Sequence, residues 1–134
     1  MAILVDEDTK VLIQGITGME GSRAAREMLA YGTKVLAGVT PGKGGTQTEE
    51  EVPVFNTVKE ALLQFSEINA TLVIVPARFA LDAVREAVEA RIPLVNIITE
   101  KVPVLHVAEM IALAKTYGVK LVGPSSVGIL SPGK

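Results

Sequence analysis

Val11-Leu-Ile-Gln-Gly-Ile-Thr-Gly-Met-Glu-Gly21 carries an apolar β-run into a glycine-spaced turn and out into a helix-forming segment. The glycines fall at Gly15, Gly18 and Gly21. Such a layout lets backbone N–H groups and a helix N-terminus face an anion with no side chain in the way. The spacing is G-x-x-G-x-x-G rather than the dinucleotide fingerprint G-x-G-x-x-G. Taken alone, it also reads as a tight strand-to-helix connection.

Outward from this turn, strand and helix signals alternate. Lys10–Gln14 reads as a strand and Met19–Tyr31 as a helix, with Ala24, Ala25, Met28 and Leu29 on one stripe and Gly32 at the C′ position. Lys34–Val39 is the second strand. Thr40–Glu51 is a glycine-rich, then acidic loop, and Val52–Phe55 a short third strand. Thr57 caps a helix reaching Phe65, with Glu60 completing a capping box. Thr71–Val75 is a strand stopped by Pro76. Phe79–Ala90 is a helix whose Asp82, Arg85, Glu86 and Glu89 mark the wet face. Pro93–Ile97 is a strand, Pro103–Tyr117 a helix ended by Gly118, and Val119–Val122 the last strand. Strands separated by helices of this length imply right-handed crossovers. The expected fold is α/β: one three-layer Rossmann-like domain over residues 1–134 with a mainly parallel sheet. Ligands of such sheets sit at the carboxyl ends of the strands. That singles out the loops 15–21, 39–46, 75–79, 97–102 and 123–128.

Composition narrows the function classes. The 134 residues are 49% hydrophobic and 4% aromatic, so the core is built from Val, Ile, Leu and Ala. A formal net charge of −2 gives no global field for nucleic acid or an anionic membrane. The absence of cysteine removes disulfides, thiolate metal sites and a cysteine nucleophile, and fits a cytoplasmic protein. The short acidic N-terminus is unlike a signal peptide, and no apolar run has membrane-spanning length. Ser131-Pro-Gly-Lys134 reads as a linker or domain edge.

The loops identify the ligand only in outline. An NAD site usually has an acid at the end of the second strand. Here Val39 is followed by Thr40 and Pro41, which weakens an NAD reading. Pro41-Gly-Lys-Gly-Gly-Thr46 instead places Lys43 where an ammonium can pair with a phosphate. The loop is not a Walker A motif, and a mobile surface loop with an incidental lysine is the alternative. Thr17 and Gly18 are candidate phosphate donors, and Glu20 suits the dipole of the first helix. Ile98, Thr99 and Glu100 reach the same edge, where Thr99 or Glu100 also serve as helix caps. Ser125 and Ser126 bind a ligand or cap a turn, and no triad supports them as nucleophiles. His106, the only histidine, reads as a surface or cap residue for want of a catalytic partner. Glu49–Glu51 is a solvated acidic run, and no acid–histidine cluster has metal-ligand spacing.

Thr9–Gly21, Met28–Gly45, Pro53–Ala61, Ile92-Pro-Leu94, Ile98-Thr-Glu100 and Gly123-Pro124 together resemble the N-terminal, CoA-binding domain of the succinyl-CoA synthetase (succinate–CoA ligase) α subunit. The resemblance covers essentially the whole chain. It implies a coenzyme A site: Thr17, Gly18, Met19 and Glu20 as the phosphate-facing loop with Val39 and Pro41 beside it, Lys43 as a CoA-contacting lysine, Pro76 on the adenine side, and Ile98, Thr99 and Glu100 near adenosine and pantetheine. It implies ATP- or GTP-dependent acyl-CoA formation in the tricarboxylic acid cycle, together with a phosphohistidine domain and a β subunit. No residue here carries a catalytic role in that scheme, and His106 stands where the family commonly has an acid. The family's Gly-Pro-Asn-Cys-Pro-Gly is Gly-Pro-Ser-Ser-Val-Gly here, at Gly123–Gly128. Arg78, Arg91 and Lys101 stand where related chains usually have small residues or proline. At a left-handed position Arg91 costs on the order of 1 kcal/mol. A stand-alone CoA- or nucleotide-sensing module is the alternative, and an NAD-binding module a further one.

Overall fold

A computed structural model of the chain describes residues 8–123. Ser125, Ser126 and Val127, read above as departures from the family pattern, lie outside the described residues. The described elements run β1 (Lys10–Gln14), α1 (Met19–Tyr31), β2 (Lys34–Val39), β3 (Val54–Phe55), α2 (Val58–Gln64), β4 (Ala70–Val73), α3 (Ala77–Glu89), β5 (Leu94–Ile97), α4 (Val104–Tyr117) and β6 (Lys120–Val122). They build one six-stranded sheet in the order β3-β2-β1-β4-β5-β6, and every adjacent pair is parallel. The order reverses direction between β1 and β4, which is the switch point of a doubly wound sheet.

Two apolar clusters face away from the sheet, as the period-2 alternation of its strands requires. On one face Leu12, Val73, Val95 and Ile97 pack with Val58 and Ala61 of α2, Ala80, Val84 and Val88 of α3, and Met110 and Ala114 of α4. On the other face Val11, Ile13, Val35, Leu72 and Leu94 gather with Ala25 of α1 and its half-buried neighbours Ala24, Met28 and Leu29. The three-layer α/β architecture is therefore present.

A bulge in β2 breaks the simple alternation. Val11 pairs with Val35, but Leu12 pairs with Ala37, leaving Leu36 as the extra residue. The slip sends Val35 to one cluster and Ala37 and Val39 to the other. It also turns Gly38 toward Ile16, where an added Cβ would sit 2.6 Å from Cδ1 of that side chain. Only glycine leaves room for Ile16 to be fully buried at the start of the glycine turn.

One buried polar network was invisible in the apolar β-run. Gln14 is 2% exposed at the end of β1. Its Nε2 donates to the Ala83 carbonyl of α3 at 2.8 Å, and its Oε1 accepts from the Thr71 hydroxyl at 2.8 Å. Each amide atom thus has a partner, as burial demands, and the network ties α3 across the switch point.

The remaining expectations shift at element ends. α3 begins at Ala77 rather than Phe79, because Pro76 takes the N-cap position with φ −55° and ψ 147°. Arg78 and Phe79 therefore belong to its first turn. β3 is Val54–Phe55 rather than Val52–Phe55: Thr48 N–H donates to the Val52 carbonyl, Val52 N–H donates to Thr48 Oγ1, and Gln47 bridges Pro53 in antiparallel fashion, so Val52 belongs to the preceding loop. Glu86 is not on a wet face. Its carboxylate accepts from Val58 N–H at 2.6 Å and so caps α2 from α3. Arg85 bonds Glu109 of α4, since α2 and α4 flank α3 on both sides.

Arg91 follows α3 with φ 63°, the left-handed conformation that closes a helix, and its guanidinium lies 5.3 Å from the Tyr117 ring centroid. Arg91→Gly and Arg91→Ala both lose that ring contact, but only glycine relieves the backbone. Urea denaturation is expected to find Arg91→Gly the more stable of the two by about 1 kcal/mol. Equal stabilities would show that the left-handed position carries no strain.

Candidate functional site

Gly15 ends β1 with φ 93°. Its N–H donates to the Val39 carbonyl at 2.8 Å and its carbonyl accepts from Gly18 N–H at 3.1 Å. A Cβ at Gly15 would overlap the Ile74 carbonyl oxygen, and one at Gly21 would overlap the Gly15 carbonyl oxygen. The glycines thus let β1, β4 and α1 meet backbone to backbone. No side chain caps α1 at Gly18. Its first-turn amides, at Met19 and Glu20, have no intrahelical acceptor and face the carboxyl edge of the sheet. The amide of Gly18 is already bonded to Gly15, and that of Thr17 lies 3.4 Å from Thr40 Oγ1. The free donors of the turn are therefore one step further along than Thr17 and Gly18.

Thr40 occupies the end of β2, where a dinucleotide site carries its ribose-binding acid. Its Oγ1 is 3.0 Å from Thr17 Oγ1, so it latches the glycine turn to β2. Next to it, the loop that carries Lys43 is pinned. Asn56 Oδ1 accepts from Gly42 N–H at 2.8 Å and Gly44 N–H at 2.9 Å, and Thr46 Oγ1 donates to the Lys43 carbonyl at 2.7 Å. Asn56 is held in turn by Glu60, whose Oε1 accepts from Asn56 N–H at 3.1 Å. The capping pair is present on its other side, where Thr57 Oγ1 accepts from Glu60 N–H at 3.1 Å.

A cavity of about 550 Å³ opens beneath the turn. It is bounded by Gly15, Thr17 and Gly18, by Val39, Thr40 and Pro41, and by Pro76, Phe79, Asp82 and Glu86 of the β4–α3 side. Five of the residues singled out from the sequence therefore share one cavity: Thr17, Gly18, Val39, Pro41 and Pro76. Lys43 is exposed on the adjoining loop. Glu20 and Ile98 line a different groove, of about 680 Å³, on the α1 flank of the sheet. Met19 is 84% exposed. Thr99 is buried, and its hydroxyl is spent on the neighbouring strand, accepting from Val75 N–H at 3.2 Å and bonding the Val75 carbonyl at 2.8 Å. It fixes the loop after β4. Glu100 is exposed beside it, and Lys101 follows with φ 60°. Among the described residues no group of His, Asp and Glu is placed to hold a metal ion, and no helix is long and apolar enough to cross a membrane.

The family model for the CoA binding domain matches residues 6–101. The chain belongs to the CoA-binding domain family. Its relatives include the succinate–CoA ligase [ADP-forming] subunit alpha 2 of Archaeoglobus fulgidus, 52% identical over 134 residues, covering all of this chain and 46% of that one. The corresponding alpha subunit of Aquifex aeolicus is 52% identical over 136 residues, covering all of this chain and 44% of its own length. The malate–CoA ligase subunit alpha of Methylorubrum extorquens is 45% identical over 138 residues, covering 100% and 46%. The chain thus spans less than half the length of these curated relatives. Among solved structures, ATP citrate lyase from Methanothrix soehngenii in complex with citrate and coenzyme A superposes with a TM-score of 0.84 at 24% identity, over 94% of this chain and 22% of that one. That similarity establishes the shared fold. This CoA-binding domain closely resembles the N-terminal region of succinate–CoA ligase alpha subunits.

Sequence reasoning missed Asn56, Thr40, Phe79 and Gln14. Asn56 sits directly before an N-cap threonine and reads as part of a helix start. Its service to the Lys43 loop depends on a contact across 12 to 14 residues. In Asn56→Ala, the amides of Gly42 and Gly44 are expected to exchange with solvent faster, on the order of fivefold for each hydrogen bond of about 1 kcal/mol removed. Hydrogen-exchange NMR measures this, and unchanged protection would free Asn56 of the role.

Proposed function

We propose that this domain holds coenzyme A for an ATP- or GTP-dependent ligase that forms an acyl-CoA, acting with a phosphohistidine domain and a β subunit. The observation that carries the reading is the cavity under the Gly15–Gly21 turn, flanked by the pinned Lys43 loop and closed at β2 by Thr40 instead of an acid. Coenzyme A brings an ADP unit with an extra 3′-phosphate. Helix-terminal amides and an ammonium suit such a ligand, whereas a carboxylate at the ribose would repel it. In the complete system, acyl phosphate formation precedes thiolate attack to give the thioester, and this domain aims the thiol. Thr17, Gly18, Met19, Val39, Pro41, Lys43, Pro76 and Glu100 form the proposed contact set, with Thr99 acting through the Val75 loop and Glu20 and Ile98 serving a part of the ligand that reaches the α1-flank groove they line.

The edge that holds the site also presents Met19, Val104 and Leu105 at 82–84% exposure in the first turns of α1 and α4. Apolar side chains at a ligand edge support a partner domain closing over it. Succinate as the acyl substrate is taken from the names of two of the relatives, and a cytoplasmic location, which the cysteine-free composition fits, belongs to the same reading.

Calorimetric titration of the 134-residue chain with coenzyme A, dephospho-CoA and NAD in turn tests it. Coenzyme A is expected to bind and NAD not to bind. Lys43→Ala is expected to weaken coenzyme A by about tenfold, the loss of one charge-assisted phosphate contact. An unchanged affinity removes Lys43 from the site. Assayed by itself with succinate, coenzyme A and ATP or GTP, the 134-residue chain is expected to form no succinyl-CoA, because the phosphohistidine domain and β subunit of the proposed system are absent from that assay. Turnover by the isolated chain would refute the division of labour.

A further inference from the structure

The guanidinium of Arg78 lies 4.7 Å from the ring centroid of Phe79. Both residues stand in the first turn of α3, which contains no acidic residue. The Phe79 ring is 48% exposed and lines the cavity beneath the glycine turn. Arg78 forms no ion pair among the described residues, whereas Arg26 and Arg85 each have a carboxylate partner. A guanidinium held over an aromatic face keeps its N–H edge available to an anion. The pair therefore sets an uncommitted fork of donors over the ring that forms part of the α3 wall.

The walls differ in what they offer a multiply phosphorylated ligand. The glycine turn offers the Met19 and Glu20 amides at the N-terminus of α1, a match for the bridged oxygens of a pyrophosphate. The α3 wall carries the carboxylates of Asp82 and Glu86, which repel a phosphate. Arg78 does not line the cavity itself; its guanidinium stands over the Phe79 ring and so adds a cation beside that wall. Coenzyme A has one phosphate more than a simple diphosphate nucleotide. It is a terminal monoester on the 3′-oxygen of the ribose, offset from the pyrophosphate by the sugar ring. Its free oxygens suit the bidentate fork of arginine better than the point charge of lysine.

We infer that Arg78, held in place by Phe79, reads the 3′-phosphate of coenzyme A and sets the preference of this domain for coenzyme A over dephospho-CoA. The inference rests on the coenzyme A reading above and goes beyond it by separating the phosphates between walls. Lys43 and the amides serve the pyrophosphate side, and Arg78 serves the monoester.

Titration of wild type, Arg78→Ala and Arg78→Lys with coenzyme A and with dephospho-CoA decides it. Wild type is expected to prefer coenzyme A. Arg78→Ala is expected to lose about tenfold in coenzyme A affinity while dephospho-CoA stays within about twofold, so that the preference collapses. Arg78→Lys recovers part of it, because charge returns without the fork. Since Arg78 is exposed, its substitution leaves the melting temperature in place, which separates ligand effects from unfolding. A preference that survives in Arg78→Ala overturns this inference alone. Equal weakening of both ligands also overturns it, because that places Arg78 on a phosphate common to both. Failure of the wild type to bind coenzyme A overturns the underlying reading and this one with it.

Discussion

The contact on which this domain depends is the backbone crossing at Gly15. Its N–H is bonded to β2 through Val39, its carbonyl to Gly18 at the start of α1, and its α-carbon lies against the Ile74 carbonyl after β4. No Cβ fits there, and none fits at Gly21, which closes on the carbonyl of Gly15 itself. The positive φ of Gly15 adds a second reason for glycine. Three chain segments converge at the switch point because nothing but backbone separates them. The cavity is the space left beside this convergence, beneath the turn.

Around that point the packing is arranged to keep the edge loops in register. The β2 bulge at Leu36 turns Gly38 beneath Ile16, so the residue that follows Gly15 is buried and the turn is anchored. The Gln14 amide joins β1 to β4 through Thr71 and to α3 through Ala83. Burying an amide is costly unless its donors and acceptors are met, and here the requirement fixes where α3 lies. The start of α3 in turn sets Phe79 in the cavity wall and Arg78 over its ring. Thr99 does similar work between β5 and the loop after β4. The loops of this edge are thus held by side chains that do not themselves face the ligand.

Much of the fold was legible from local pattern. β1, α1 and β2 match their predicted bounds, because each combines a clear period with a glycine or capping signal at its ends. Ends that depend on neighbours moved. Pro76 became an N-cap, and Val52 fell into the loop because its backbone bonds Thr48 across a turn rather than a strand. Glu86 looked like a wet-face residue on its own helix and is a cap for another. The amphipathic pattern of one helix does not contain the position of the next.

For the site, the sequence by itself determined the chemistry on offer: a glycine turn leading into a helix N-terminus, a lysine in a glycine loop, and no acid after the second strand. Those are properties of residue type and spacing along the chain, and the family resemblance rests on the same residues. Only the tertiary structure decided which of them share a space. It brought Thr17, Gly18, Val39, Pro41 and Pro76 around one cavity, placed Glu20 and Ile98 on another flank, and buried the Thr99 hydroxyl in a bond to Val75. It also made Asn56 the keeper of the Lys43 loop and set Arg78 against Phe79. The reason is the parallel sheet itself. Its crossovers carry residues far apart in the chain to one edge, and which side chains meet there is set by register and helix placement.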